Sequence, residues 1–292
     1  MYESFYGFAE KPFSLTPDPK YLYRSESHAD AFELLHYAIE RREGFVVMTG
    51  DIGTGKTTLC RALFDHTDPR TFTALLLNPF LSEEDLLQAI LEDLGVLSRG
   101  EERLGRRPTK QELVNSLQDF LLTLIPLNSR AVPIIDEAQN LPVPILEQIR
   151  ILSNLETDTE KLLQIVLVGQ LNLIPLLGCE ELRQLDQRVS IRYQLKPLTE
   201  EETGAYISHR LAIAKGSSDV VFSPAAQALV YRYSGGVPRR INMLCDRALL
   251  AGARAQVMRL DDELVAAAAE ALDFRAVAQQ KVSWFGRLLA DS

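Results

Sequence analysis

Five short apolar runs recur along the chain, and the stretches between them carry apolar residues at helical spacing. Phe45-Val46-Val47-Met48-Thr49 is unbroken in its hydrophobicity, which predicts a strand covered on both faces. Thr71 to Asn78, Ala131 to Glu137, Leu162 to Gln170 and Val189 to Leu195 predict four more. Before the first run, Ser27 to Arg42 places Ala31, Leu34, Leu35, Ala38 and Ile39 on one helical face. Thr58 to Phe64 predicts a helix directly after it. Ser82-Glu83-Glu84-Asp85 and Thr109-Lys110-Gln111-Glu112 have the form of capping boxes, opening helices that run to about Leu94 and Ile125. Glu180 to Arg188 predicts a short charged helix. Strands alternating with helices in this way predict a parallel α/β sheet. Pro133 is unusual inside a buried run because it has no N–H for a ladder; it predicts the strand's first paired residue or a bulge.

The pattern changes after Pro197. Thr199-Glu200-Glu201-Glu202 caps a helix to about Ala214, Ser223-Pro224 starts another, Arg239 to Ala253 follows the turn Gly235-Gly236-Val237-Pro238, and Asp261 opens a last one. No strand pattern is visible there, so a small helical domain is expected over 197–273. Upstream, Met1 to Lys20 is rich in aromatic residues and prolines and predicts an extended segment packed by its rings, part of it bordering a nucleotide base. The expected division is an aromatic and proline-rich linker over 1–26, an α/β domain over 27–196, the helical domain, and an amphipathic tail over 274–292. Ser98 to Pro108, with Arg99, Arg103, Arg106 and Arg107, reads as a solvated linker.

At 292 residues the chain is long enough for one large domain or two modest ones. The net charge of −9 argues against a generally basic surface for nucleic acid. Cys60, Cys179 and Cys245 lie far apart without metal-ligand spacing and read as buried thiols of a reducing compartment. The opening Met1-Tyr2-Glu3-Ser4-Phe5 is not a basic signal-peptide start, and no apolar run reaches the roughly 18 residues of a membrane span. A cytoplasmic location is expected.

The chemistry concentrates after the first strand. Gly50-Asp51-Ile52-Gly53-Thr54-Gly55-Lys56-Thr57 fits G-x-x-x-x-G-K-[ST], the Walker A phosphate-binding loop, with Thr58 continuing into the helix. Glycines let successive backbone N–H groups turn inward on a β-phosphate. Lys56 supplies a cation for the β- and γ-phosphates, and the Thr57 hydroxyl is a Mg²⁺ ligand. This predicts binding of ATP or GTP. Asp136-Glu137 closes the third predicted strand in the manner of a Walker B pair: the first acid holds Mg²⁺ and the second polarises the attacking water.

These motifs in this order resemble the AAA+ ATPases, and within them the group typified by general secretion pathway protein A and its pilus-biogenesis and exosortase-locus relatives. The resemblance covers nearly the whole chain. Its most specific parts are Tyr2-x-x-Phe5-Tyr6-Gly7-Phe8 with Pro12-Phe13-Ser14-Leu15-Thr16-Pro17-Asp18-Pro19, and Asp136-Glu137-Ala138-Gln139-Asn140-Leu141. Leu152 to Thr157 and Gly236 to Asn242 add to it. It implies a five-stranded P-loop base with a C-terminal all-helical lid. It also gives roles to residues that spacing alone does not assign. Gln170 matches sensor 1, beside the γ-phosphate and attacking water. Arg239 looks like sensor 2, with Arg240 as the competing position. Arg188 sits where the family places the arginine finger of a neighbouring subunit, with Arg183 as its competitor.

The resemblance implies a Mg²⁺-dependent ATPase that assembles with itself as a hexamer or filament and energises or regulates an envelope secretion, pilus or polysaccharide-export system. Typical members of the secretion group carry a membrane span and a peptidoglycan-binding region beyond this stretch. The rival reading is an ATP-controlled, DNA-associated regulator of the transposition-ATPase kind, against which the acidic balance weighs. A small-molecule P-loop kinase is disfavoured by Glu137 and the lid. In the tail, Trp284, Phe285, Leu288 and Leu289 would share one helical face bordered by Arg275, Lys281 and Arg287, the composition of a segment that makes peripheral contact with a membrane.

Overall fold

The computed structural model describes residues 2–77, 82–98, 107–155 and 161–276. In chain order its main elements are α1 (Tyr2–Tyr6), α2 (Glu26–Glu40), β1 (Phe45–Gly50), α3 (Lys56–Asp65), β2 (Thr71–Leu76), α4 (Glu83–Asp93) and α5 (Lys110–Leu124). There follow β3 (Arg130–Ile135), α6 (Val143–Leu152), β4 (Ile165–Gly169), α7 (Leu173–Leu177), α8 (Arg183–Asp186) and β5 (Val189–Leu195). The remainder is α9 (Glu200–Ala214), β6 (Val221–Phe222), α10 (Pro224–Ser234), α11 (Pro238–Arg254), β7 (Arg259–Leu260) and α12 (Asp262–Ala271). Asn78, the arginines from Arg99 to Arg106 and the tail from residue 277 onward lie outside the described residues.

The chain divides into two compact units, residues 16–197 and residues 1–15 with 198 onward. The first is an α/β unit built on a five-stranded sheet in the order β2-β3-β4-β1-β5, with every strand pair parallel. All six residues of β1 are buried, as its unbroken apolar run predicts for a central strand. Edge strand β5 alternates half-buried and exposed positions. The pleat sorts β1 by parity: Phe45 and Val47 join a core under α4, α5 and α6, whereas Val46 and Met48 join one under α2 and α3. Capping boxes at Ser82/Asp85 and Thr109/Glu112 fix the starts of α4 and α5.

Pro133 lies inside β3, not at its start, and no residue is bulged. Pairing with β2 is continuous through Ala74↔Pro133. Toward β4 the bridges Ala131↔Leu163 and Ile134↔Val166 keep one register on either side of it. The proline is therefore accommodated by a gap in the β4 ladder, where its missing N–H is not called upon.

The second unit is helical but not free of strands: β6 and β7 form a two-stranded parallel pair, Val221↔Arg259 and Phe222↔Leu260. Two residues per strand are too few to show a period. Nor is the N-terminal segment extended throughout. Tyr2–Tyr6 is a helix, because the prolines begin only at Pro12, and the segment belongs with the helical unit. Tyr2 hydrogen-bonds Asp246, while Arg210 donates to the carbonyls of Pro12 (2.6 Å) and Ser14 (3.2 Å). Gly236, at φ 74, faces the Leu198 carbonyl so closely that a Cβ would stand 1.9 Å from its oxygen. Among the described residues no helix is long and apolar enough to cross a membrane.

Candidate nucleotide-binding site

The strand order sets β4 between β1 and β3, and all three run the same way, so their C-terminal ends lie side by side. Ligands of open parallel sheets bind at that edge. Beyond β1 the chain curls through Gly53 (φ 84) and Gly55 (φ 103), left-handed conformations that glycine adopts without steric cost, and enters α3 at Lys56. The unpaired N–H groups of the first helical turn, Thr57 and Thr58 among them, therefore abut the loop, which is an anion-binding arrangement. Ile52 is 63% exposed at the tip of the loop.

Lys56 is buried, and its Nζ donates to the carbonyls of Gly50 (2.9 Å) and Asp51 (3.0 Å). Burial holds its pKa below the ordinary lysine value, an effect opposed by the nearby carboxylates of Glu137, Asp136 and Asp51. Cys60 lies one turn further along α3; burial pushes its thiol pKa up, so it is inert packing. Cys245 is equally buried, whereas Cys179 is half-buried.

Asp136 follows β3 directly and is 2% exposed. Its Oδ2 accepts from the Thr57 hydroxyl at 2.5 Å and its Oδ1 from the Glu137 N–H at 2.8 Å. A hydroxyl and a carboxylate converging at the mouth of a phosphate loop are the hard oxygen donors that Mg²⁺ takes beside waters and phosphates. Among the described residues there is no cluster of three or more His, Cys, Asp or Glu side chains fit for a metal, and Mg²⁺ bound in this manner needs none. Glu137 stands beside them in a left-handed conformation, φ 52 and ψ 34. Its Oε2 accepts from Gln139 Nε2 (2.6 Å) and Gln170 Nε2 (3.1 Å).

The residues from Gly50 to Thr58, with Asp136, Glu137 and Gln170, thus come together at one sheet edge. Arg188 is exposed and outside this network, donating to Ser153 Oγ at 2.7 Å; Arg183 is exposed as well. Arg239 belongs to the helical unit, exposed in the first turn of α11, while Arg240 is engaged with the Tyr233 carbonyl (2.7 Å) and the Phe274 ring. Two neighbours of the loop escape sequence reasoning. Gln139 touches both Glu137 and Gln170. His28, in the first turn of α2, hydrogen-bonds the Thr54 carbonyl. The signal for His28 is its place on the apolar stripe of α2, three residues before Ala31 and seven before Leu35, where a polar side chain is buried and needs a partner.

A glycine-bearing loop from a central strand into a helix, with an acid pair just past the end of the strand two places away, is the arrangement of a P-loop fold of the AAA type. The family model of the AAA domain matches residues 39–177. General secretion pathway protein A of Aeromonas hydrophila is 44% identical over 251 residues, 86% of this chain and 45% of that protein. The chain carries an AAA domain and is related to general secretion pathway protein A, spanning less than half of that relative's length. Among solved structures, the ORC2 protein of Aeropyrum pernix matches with a TM-score of 0.68 at 16% identity, over 93% of this chain and 73% of its own. The RuvB branch-migration motor of Thermotoga maritima matches with a TM-score of 0.53 at 21% identity, over 85% and 70%. At such identities the likeness speaks for the fold alone.

Proposed function

We propose that this protein binds ATP with Mg²⁺ and hydrolyses it as a homo-oligomer, and that the cycle energises or regulates assembly of an envelope secretion, pilus or polysaccharide-export machine. The observation that carries the hydrolytic reading is the convergence of Thr57, Asp136 and Glu137 at the mouth of the loop. In this reading the loop N–H groups and Lys56 hold the phosphates. Thr57 and Asp136 hold Mg²⁺, which when bound offsets charge on the phosphate oxygens. Glu137 accepts a proton from the attacking water, Gln170 orients that water or the γ-phosphate, and Arg188 from a neighbouring subunit meets the developing charge. Arg239 reports nucleotide state to the lid. The kinship with general secretion pathway protein A supports the envelope role and a cytoplasmic place peripheral to the inner membrane.

Fluorescent-ATP titration beside phosphate release tests the site. Lys56→Ala is expected to abolish nucleotide binding, because it removes the cation and its hydrogen bonds. Glu137→Gln is expected to keep binding and lose turnover by about 10²- to 10⁴-fold, the usual share of a general base. Wild-type turnover by Glu137→Gln removes the catalytic assignment. Salt-sensitive binding to duplex DNA, with no dependence of turnover on assembly, would move the function to a DNA-associated regulator.

A further inference from the structure

Glu137 is the first residue past the buried end of β3–Asp136, and its backbone sits in the left-handed region that a side chain disfavours. Something must keep its carboxylate from swinging away. The Gln139 carboxamide lies across the gap between the ends of β3 and β4. Its Nε2 donates to Glu137 Oε2 at 2.6 Å, and its Oε1 accepts the backbone N–H of Gln170 at 2.9 Å. The orientation of the amide follows from its neighbours: a carboxylate can only accept, and a backbone N–H can only donate. Gly169 makes room for it, since a Cβ there would stand 2.7 Å from Gln139 Oε1.

We propose that Gln139 is the positioning residue of this site, fixing where the Glu137 carboxylate stands by tying it to the backbone of Gln170. The inference rests on Glu137 being the base. Gln170 also holds Glu137 through its side chain, at 3.1 Å, but in the functional reading that side chain is needed at the γ-phosphate or the water. Gln139 has no second task, so it keeps Glu137 in place when Gln170 turns to the nucleotide. Only a residue with a donor and an acceptor at this reach does so. Glutamate would set a carboxylate against Glu137, and methionine would fill the space while making neither bond.

The test is steady-state phosphate release and fluorescent-ATP binding by Gln139→Met and Gln139→Glu, each also made in the Glu137→Gln background. Both single variants are expected to lose about 10- to 100-fold in kcat, with KM and nucleotide Kd within about twofold of wild type, as a misplaced base requires. In the Glu137→Gln background neither should lower the residual rate further, because the group being positioned is gone. Wild-type kcat in both variants, with Glu137→Gln inactive, overturns the inference and leaves the assignment of Glu137 standing. A rise in Kd matching the fall in kcat/KM overturns it as well, since Gln139 would then merely support the loop. Wild-type turnover by Glu137→Gln overturns both readings. Gln139→Glu keeps volume and polarity, so a folding failure of Gln139→Met leaves the question decidable.

Discussion

The imidazole of His28 hydrogen-bonds the carbonyl oxygen of Thr54 at 3.0 Å through Nε2, while its Nδ1 lies 2.7 Å from the hydroxyl of Ser25. A carbonyl only accepts, so Nε2 carries the proton, and in the neutral ring Nδ1 then accepts from the Ser25 hydroxyl. The helix before β1 thereby props the phosphate loop from outside, at the point where the chain turns through Gly55. A Cβ on Gly55 would stand 3.1 Å from that same Nε2. His28→Phe keeps the ring and removes the donor, leaving the Thr54 carbonyl unsatisfied. One such bond is worth about 1 kcal/mol, so nucleotide affinity should fall by about fivefold while turnover at saturating ATP is kept. Titration with fluorescent ATP checks this; unchanged affinity together with an unchanged melting temperature removes the prop.

Lys56 is a site where binding chemistry opposes stability. Its pKa is held below 10.5 by burial, so within the window between the folded value and 10.5 the unfolded chain binds the additional proton. Stability therefore rises with pH through that window, and below it the buried ammonium carries its full desolvation cost. Lys56→Met, without nucleotide, should melt at or above the wild-type temperature at neutral pH, the difference shrinking as pH approaches 10.5. MgATP should raise melting of the wild type and not of the variant. A nucleotide-free variant that melts well below wild type contradicts this account.

The parts legible in the sequence are those whose signal is local. The run Phe45–Thr49 could be read as a buried strand because four apolar side chains follow one another before Thr49, and the loop after it because its glycines are spaced for phosphate. Helix α6 was not legible. It starts after Pro142 with no side-chain cap, so only the spacing of Ile145, Leu146, Ile149 and Leu152 marks it, and no capping signal announces its start. The five residues of α1 and the two of each strand in the β6–β7 pair are too short for a period to show. Gln139 stood in view two residues past Glu137. Its contact with the Gln170 backbone depends on β3 and β4 being neighbours, which is a tertiary fact.

Tyr6 gives the helical unit a distinct alkaline weakness. Its hydroxyl is buried, has no hydrogen-bond partner among the described residues, and lies where a Cβ on Gly252 would come within 2.5 Å of it. Burial pushes its pKa from 10.0 up to about 12. The folded state keeps the proton longer than the unfolded chain, so stability that is fully present below 10.0 is lost as pH rises through about 12. Tyr2, raised by burial and by its bond to Asp246, acts in the same direction. Tyr6→Phe removes an unsatisfied hydroxyl, so at neutral pH it should leave stability unchanged or raise it by about 1 kcal/mol. At high pH its loss should be shallower than that of the wild type. Urea midpoints measured across the range check both statements, and a lowered midpoint at neutral pH would show that the hydroxyl is satisfied.

Arg188 is exposed, and its guanidinium is held by a hydroxyl. Its Nη1 donates to Ser153 Oγ at 2.7 Å, and Ser153 donates in turn to the Arg150 carbonyl at 2.6 Å. A neutral hydroxyl aims the guanidinium without neutralising it, and no carboxylate pairs with it among the described residues. If Arg188 acts in trans, Arg188→Ala should bind nucleotide normally and lose about 10³- to 10⁵-fold in turnover, the range known for such arginines. Lys56→Ala lacks the other half of the site. Mixed in equal amounts, the two proteins place complementary halves together at about a quarter of the interfaces of a head-to-tail ring, so activity should return from two inactive preparations. The same mixture made with Arg183→Ala separates the two candidate fingers: recovery should require a mutated Arg188, because Arg183→Ala alone should remain active. Specific activity of the wild type should also climb with protein concentration. Turnover independent of concentration, with no recovery in either mixture, would mean that each subunit completes its own site.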